Sequence, residues 1–282
     1  MKIVENVQEL QNIIKEAKRN ESVVGFVPTM GFLHEGHLSL VDQAQKECDL
    51  VVMSIFVNPL QFGPNEDFDR YPRNFERDSR LARNAGVNIL FYPNVKEMYP
   101  TESAMKVIVH EGVSVLCGKS RPGHFDGVAT VVLKLFNIVT PDRAYFGMKD
   151  AQQVAVIEKM IRDFNLQVSL IGCPTLREED GLAKSSRNVN LTDVERKEAV
   201  SIYNSLQLAK KLIAQWERKT ERIKEEMTTF LETNSSGTID YIELLTYPEL
   251  NHLEQLEGKV IIAIAQQYSK ARLIDNIVLE IE

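Results

Sequence analysis

Two histidines three residues apart stand in Pro28-Thr29-Met30-Gly31-Phe32-Leu33-His34-Glu35-Gly36-His37, a stretch that also holds two glycines. A neutral imidazole offers an N–H donor, and glycine lets another molecule approach the main chain closely. Side chains three apart at a helix start share a face, and a helix N-terminus adds main-chain N–H groups and a positive dipole end. Together these suit the holding of phosphates. Zinc fits less well, because the zinc-protease pattern needs histidines four apart on a formed helix beside a glutamate.

Three further stretches carry candidate chemistry. Lys184-Ser185-Ser186-Arg187 packs two cations and two hydroxyls into four residues, an anion clamp in which arginine can fork onto two phosphate oxygens. Its ordinary alternative is a solvated linker. Phe146-Gly147-Met148-Lys149-Asp150-Ala151-Gln152-Gln153 offers Lys149 to neutralise phosphate and Gln153 to bond a polar substrate, while Asp150 suits a helix cap. Asn58-Pro59-Leu60-Gln61-Phe62-Gly63-Pro64-Asn65 breaks regular structure and presents Asn58 and Gln61. Arg121-Pro122-Gly123-His124-Phe125 suits a turn or an active-site loop. Asp78 falls in a helical segment, where the expectation is a helix-surface position and the alternative a share in a magnesium site.

The elements that must position these groups follow from hydrophobic spacing. Residues 23–27 and 49–57 are near-continuous apolar runs, as in strands covered on both faces, and 38–44 between them has helical spacing. Strand, helix and strand make a βαβ unit and a parallel sheet. Ligands of such sheets sit at the C-terminal ends of the strands, which puts Asn58 and Gln61 on the same edge as His34 and His37. Helices are expected at 7–19, 74–86, 128–139 and 149–164, and strands at 87–92, 106–110, 143–147 and 167–171. Residues 69–73 suit a charged surface loop. Beyond a Pro-then-acidic segment the character changes. Long charged helices at 192–216 and 220–231, a turn at 233–237, and strands at 240–245, 259–265 and 274–281 predict a smaller α+β domain. The boundary is placed near Leu176, giving domains 1–175 and 176–282.

Bulk properties narrow the partners. The 282 residues are 44% hydrophobic and 26% charged, with a net charge of −7, a globular composition whose acidity argues against general nucleic-acid binding. The N-terminal Met1-Lys2-Ile3-Val4-Glu5-Asn6 lacks a signal-peptide plan, and no apolar run approaches the ~20 residues of a membrane span. Cys48, Cys117 and Cys173 contain no C-x-x-C pair and are expected to be reduced, packed cytoplasmic thiols.

The histidine stretch, Asn58-Pro59-Leu60-Gln61-Phe62-Gly63, Asp69-Arg70-Tyr71-Pro72-Arg73, the Phe146–Gln153 stretch and Asp180-Gly181-Leu182-Ala183-Lys184-Ser185-Ser186-Arg187-Asn188 occur in one order. In that order and spacing, from about Gly25 to Leu191, the chain resembles the pantothenate synthetase (pantoate–β-alanine ligase) family. The resemblance implies an α/β fold: a Rossmann-like, doubly wound parallel sheet of nucleotidyltransferase type, with a smaller C-terminal lid domain. It implies a cytoplasmic homodimer that uses ATP and Mg²⁺. ATP and (R)-pantoate would give pantoyl adenylate and pyrophosphate, and the amine of β-alanine would then give pantothenate and AMP.

Carried over by residue, the resemblance puts Met30, Gly31, Phe32, Leu33, His34, Glu35, Gly36 and His37 at ATP. His34 and His37 would face the triphosphate, His37 as the catalytic donor. Gly147, Met148, Lys149 and Asp150 would contact the nucleotide, with Lys149, catalytic as well, on a phosphate. Leu176 would meet adenine through its backbone, and Lys184, Ser185, Ser186 and Arg187 would close over the phosphates. Gln61, Gln153 and Asn58 would hold pantoate and β-alanine. The family commonly has methionine at the position of Lys184, so that lysine's own role is open.

The chemistry agrees with the residue types. A carboxylate attacking the α-phosphate concentrates negative charge on phosphate oxygens, which preplaced donors and cations stabilise without a covalent nucleophile. Two other classes share parts of the pattern: a nucleotidyltransferase acting on another small acid or cofactor precursor, and a tRNA-binding, synthetase-like module. The acidic charge speaks against the second.

Overall fold

The computed structural model describes residues 1–63 and 68–282; the expected loop at Pro64 and Asn65 lies outside them. The chain divides into two compact units. The first comprises Met1–His110, Arg121–Gly147 and Val156–Pro174; the second comprises Glu111–Ser120, Met148–Ala155 and Thr175–Glu282.

The elements run in order β1 (Lys2–Val4), α1 (Val7–Arg19), β2 (Val24–Thr29), α2 (Glu35–Glu47), β3 (Leu50–Ile55), α3 (Phe75–Asn84), β4 (Ile89–Phe91), α4 (Val95–Met98), α5 (Leu116–Ser120), α6 (His124–Val139), β5 (Arg143–Gly147), α7 (Ala151–Asp163) and β6 (Ser169–Cys173). They continue with α8 (Asp193–Glu198), α9 (Val200–Ala214), α10 (Thr220–Asn234), β7 (Thr238–Thr246), β8 (Gly258–Gln267) and β9 (Arg272–Ile281).

In the first unit six strands form a parallel sheet in the order β1-β4-β3-β2-β5-β6. Covering on both faces makes the inner strands apolar throughout: Val24, Phe26 and Val27 on β2 and Val51, Val52 and Met53 on β3 are buried. From β2 the chain winds one way through β3 and β4, and from β5 the other way to β6. The boundary between β2 and β5 is therefore the topological switch point, where open α/β sheets bind ligands. The β2–β3 ladder runs from Val24 to Thr29, whereas the β2–β5 ladder stops at Phe26. Pro28 follows and has no N–H to give. The C-terminal ends of β2 and β5 are thus not laddered to each other at the edge that leads into His34.

In the second unit β7-β8-β9 form an antiparallel sheet. On β8 the side chains alternate between two cores. Val260, Ile262 and Ile264 face Leu206, Ile223, Met227 and Leu231 of α9 and α10. Ile261 and Ala263 face Leu116, Ala151 and Ala155. That second core is why 111–120 and 148–155 belong to this unit.

Several local expectations change. Lys106–His110 is not a strand: Val107 N–H donates to Thr130 Oγ1 and Val109 N–H to Asp126 Oδ1. Side chains of α6 take the bonds that a neighbouring strand would have taken. The expected helix over 192–216 is two helices that meet at Ala199. Helix α10 runs on to Asn234, into the expected turn. Helix α7 starts at Ala151, after a single 3₁₀ turn at Met148–Asp150. Strand β1 adds to the expected set, since a three-residue edge strand has too few residues to show a period.

Candidate active site

In the first unit the turn from β2 to α2 is built by four contacts. Thr29 Oγ1 donates to Ser54 O at 2.7 Å and accepts Gly31 N–H at 3.2 Å. Gly31 has φ +85° and Phe32 φ +50°, so two successive residues take the left-handed conformation that costs side chains energy. The carboxylate of Asp78 holds them there, accepting Phe32 N–H at 2.6 Å and Leu33 N–H at 2.9 Å. Asp78 is 1% exposed, which corrects the helix-surface expectation. Its oxygens bind main-chain N–H groups and Arg77, so its structural part is that of a clamp on the histidine loop. An Asp in the first turn of a helix is a common cap, and nothing in its spacing pointed to a loop forty-odd residues earlier.

His34 is the N-cap of α2. Its Nδ1 accepts Gly36 N–H at 3.1 Å, and its own N–H donates to Nδ1 of His37 at 3.3 Å. The two ring centroids lie 4.1 Å apart. An imidazole whose Nδ1 accepts carries its proton on Nε2. Both rings are therefore fixed as Nε2–H donors. Gly36 must be glycine, because a Cβ there would meet the His34 ring at 2.9 Å. This corrects the expectation of open N–H groups at the helix start: Gly36 N–H serves His34 Nδ1, and His37 N–H serves His34 O at 2.8 Å. The imidazoles stand in as the donors.

Gln61 ends a 3₁₀ turn, Pro59–Gln61. Its Nε2 lies 3.0 Å from Met30 Sδ, and its Oε1 is 3.4 Å from Asn58 Nδ2. Asn58 is 1% exposed and wholly engaged: Nδ2 also donates to Gly127 O, and Oδ1 accepts from Leu60 N–H and from the Tyr99 hydroxyl at 3.0 Å. Burial pushes the Tyr99 phenol up to about 12, so it remains a donor. Asn58 thus braces Gln61.

Sequence reasoning put His124 in a turn or active-site loop without a partner, and gave Gly127 no part. His124 Nδ1 lies 2.8 Å from Gln61 O and must donate to it, and Arg121 Nη1 lies 3.1 Å from Nε2. Gly127 lets α6 press against the turn, since a Cβ there would meet Leu60 O at 2.2 Å. The signal was the run Gly123-His124-Phe125-Asp126-Gly127, in which two glycines and a histidine precede an apolar helix.

In the second unit Lys149 lies in the 3₁₀ turn before α7, its side chain 17% exposed and Nζ 3.9 Å from Asp150 Oδ2. Gln153 lies on α7. Gln152 beside it is buried and bonds the carbonyls of Gly112 and Val115. Residues 176–184 fold back as a hairpin, with Arg177 bridging Ala183 and Lys184 N–H donating to Leu176 O at 2.9 Å. Leu176 thus already uses its carbonyl within the chain. Lys184 Nζ lies 3.6 Å from Glu178 Oε2, so Glu178 is one partner for this lysine. Ser185 caps the following turn through Arg187 N–H, and Arg187 is exposed. One small cavity is lined by Lys149, Ser185, Asn188 and Asp275. The lysine turn and the serine segment therefore share a wall.

Against known proteins, the chain matches the family described as "Pantoate-beta-alanine ligase" over residues 2–278. The chain belongs to the pantoate–β-alanine ligase family. The pantothenate synthetase of Geobacillus sp. (strain WCH70) is 56% identical over 281 residues, all of both chains. That of Bacillus pumilus (strain SAFR-032) is 57% identical, with all of this chain and 97% of the other covered. The crystal structure of the Thermus thermophilus pantothenate synthetase superposes with a TM-score of 0.92 at 44% identity, covering 98% of this chain and 99% of that one. The pantoate–β-alanine ligase of Francisella tularensis, complexed with beta-gamma ATP and beta-alanine, gives 0.78 at 35% identity, covering 99% and 97%. A Rossmann-like α/β unit with a smaller antiparallel unit is thus the fold of this ligase family, and the activity class is that of an ATP-dependent acid–amine ligase. No helix among the described residues is long and apolar enough to cross a membrane.

Proposed function

We propose that the protein condenses (R)-pantoate with β-alanine through a pantoyl adenylate, consuming ATP and releasing pyrophosphate and AMP. The observation that carries the chemistry is the histidine pair, in which each Nδ1 accepts a main-chain N–H and leaves Nε2 as the nitrogen that bears the proton. Support for the substrates comes from the named relatives, one of them crystallised with a form of ATP and with β-alanine.

In the first step the pantoate carboxylate attacks the α-phosphate. A P–O bond forms to the acid, and the bond to pyrophosphate breaks. His34 and His37 donate to the phosphate oxygens as charge builds, with no proton gained or lost by the pair. Lys149 and Arg187 supply full positive charge, and Ser185 and Ser186 donate hydroxyls. Met30 to Gly36 line the nucleotide, together with Gly147, Met148, Asp150, Lys184 and the backbone at Leu176. Gln61 and Gln153 hold the acid, with Asn58 acting through Gln61. Such preset donors need no rearrangement as the transition state forms. In the second step the neutral amine of β-alanine attacks the acyl carbon, a C–N bond forms as the C–O bond to AMP breaks, and the surplus proton of the nitrogen passes to solvent.

Mg²⁺ suits this site as a companion of the triphosphate. Among the described residues no three His, Cys, Asp or Glu side chains converge, and magnesium commonly binds through substrate phosphates and water with few protein ligands. Bound in that way, it would neutralise phosphate charge. Residues 1–175 would form the nucleotide- and pantoate-binding domain, apart from 111–120 and 148–155, which pack with the C-terminal segment, and 176–282 would form a lid that shields the adenylate from water. A cytoplasmic homodimer completes the proposal. The test is pyrophosphate release from ATP with pantoate alone, followed by AMP and pantothenate on adding β-alanine. Faster release with a different small acid would overturn the substrate assignment in favour of another nucleotidyltransferase.

A further inference from the structure

The phosphate-facing turn of the second unit has a support that lies far away in sequence. Asn276, on β9, directs one side-chain nitrogen at two successive carbonyls, Met148 O at 2.9 Å and Lys149 O at 2.8 Å. Those carbonyls belong to the two peptide planes that flank the Cα of Lys149. Peptide planes are rigid, and φ and ψ are the only soft angles between them. Fixing both planes fixes the direction in which the lysine side chain leaves the backbone. The turn itself, Met148–Asp150, is a single 3₁₀ turn, which holds its geometry poorly without outside bonds.

The neighbouring residue ties in the other anion-facing segment. Asp275 is 3% exposed and takes both ends of the Arg177 guanidinium, at 2.6 and 3.0 Å, while its Oδ1 also accepts Asn276 N–H at 2.8 Å. Arg177 donates further to Gly181 O at 3.1 Å and lies 4.3 Å over the Tyr203 ring. Gly181 needs to be glycine at φ +96°, where a Cβ would also strike that ring. The hairpin that delivers Lys184, Ser185, Ser186 and Arg187 is thereby anchored to β9 one residue from the amide that holds Lys149.

We propose that Asn276 is a positioning residue for ATP binding and adenylation, and that with Arg177 and Asp275 it presets Lys149 and the Lys184–Arg187 segment as one cationic surface. This rests on the reading in which Lys149 meets a phosphate. A lysine has a long flexible stem and a large rotamer entropy, so a fixed exit direction is what makes its charge available at one place. Misplacement of about 1 Å by a residue remote from the chemistry can cost about a hundredfold in rate.

The test is a double-mutant cycle on the full-length protein. Binding of a non-hydrolysable ATP analogue and pantoate-dependent pyrophosphate release are measured for the wild type, Asn276→Asp, Lys149→Ala and the pair. The aspartate is isosteric but turns an acceptor toward the two carbonyls. Asn276→Asp is expected to weaken analogue binding about tenfold and to slow release about ten- to a hundredfold. In the Lys149→Ala background the same change should cost no more than about twofold, because coupled residues are not additive. A merely structural asparagine would give equal losses in both backgrounds, and that result overturns the proposal. Asn276→Ala, which introduces no charge, is run through the same cycle with thermal melting, so that loss of fold is separated from loss of coupling. Unchanged binding and rate in a folded Asn276→Ala protein also overturns it. Wild-type behaviour of Lys149→Ala removes the phosphate role of the lysine and the proposal with it, whereas a large loss there with additive Asn276 effects removes the positioning role alone.

Discussion

The backbone N–H of His34 donates to Nδ1 of His37 across 3.3 Å, and that contact decides which nitrogen of His37 carries the proton. With the matching bond from Gly36 N–H to His34, both rings accept at Nδ1 and carry their donor at Nε2. The helix cap and the proposed phosphate contact are two ends of the same side chains.

It follows that glutamine is the best replacement for His37. Its oxygen can accept the His34 N–H while its amide donates outward, whereas alanine can do neither. His37→Ala is expected to lower pantoate-dependent pyrophosphate release by about 10²–10⁴-fold, and His37→Gln by clearly less. Initial rates with circular dichroism as a fold check decide it. Equal losses in the two variants would show that the donor geometry is not what matters.

Asp78→Asn tests the clamp on the histidine loop. The amide can accept one of the two N–H groups now held by the carboxylate and must turn its own donors toward the other. A buried N–H left without a partner costs about 1–3 kcal/mol. The expected result is a loss of stability of that size in denaturant unfolding, together with a raised KM for ATP. A variant of normal stability and normal KM would refute the clamp.

Gly127→Ala should act on the proposed acid site. The added methyl would strike the main chain at Leu60 and Gln61 and push the turn that presents Gln61. KM for pantoate is expected to rise at least about tenfold, with a smaller change for ATP. Saturation curves for the two substrates separate the cases.

Glu195 gives the second unit an acid-sensitive joint. Main-chain N–H groups of Thr192 and Ser269 bond its carboxylate at 2.8 Å each and hold its pKa down to about 2 from 4.5. A group depressed on folding contributes stability above its unfolded pKa, and that contribution is lost as pH falls through the folded value. Melting of the wild type should therefore soften between about pH 4.5 and 2, and Glu195→Gln should flatten that part of the curve while lowering stability at neutral pH. Parallel curves for the two proteins would contradict the bond geometry.

The parallel sheet and the order of its elements were legible because buried parallel strands are apolar throughout and helices between them keep their period. The histidine loop and the lysine turn were legible as residue types beside glycines at strand ends. The supports were not. Asp78, His124, Gly127 and Asn276 act through main-chain atoms of residues distant in sequence, and a bond to a carbonyl or an N–H leaves no mark on the identity of the partner. Lys106–His110 shows the converse: alternation promised a strand, but the bonds went to Thr130 and Asp126 of a helix.

The second core of the smaller unit sets a timetable for synthesis. Leu116, Ala151 and Ala155 are made early, yet they are covered by Leu245, Tyr247, Ile261 and Ala263. At about 5–20 residues per second, the hundred or so residues between Ala155 and those partners leave the early side chains bare for roughly 5–20 s on the ribosome. The lysine turn waits longer still, for the amide of Asn276. A nascent chain can thus own its histidine loop while its cations have no fixed address, and a chaperone that holds apolar surface has its natural moment in that interval.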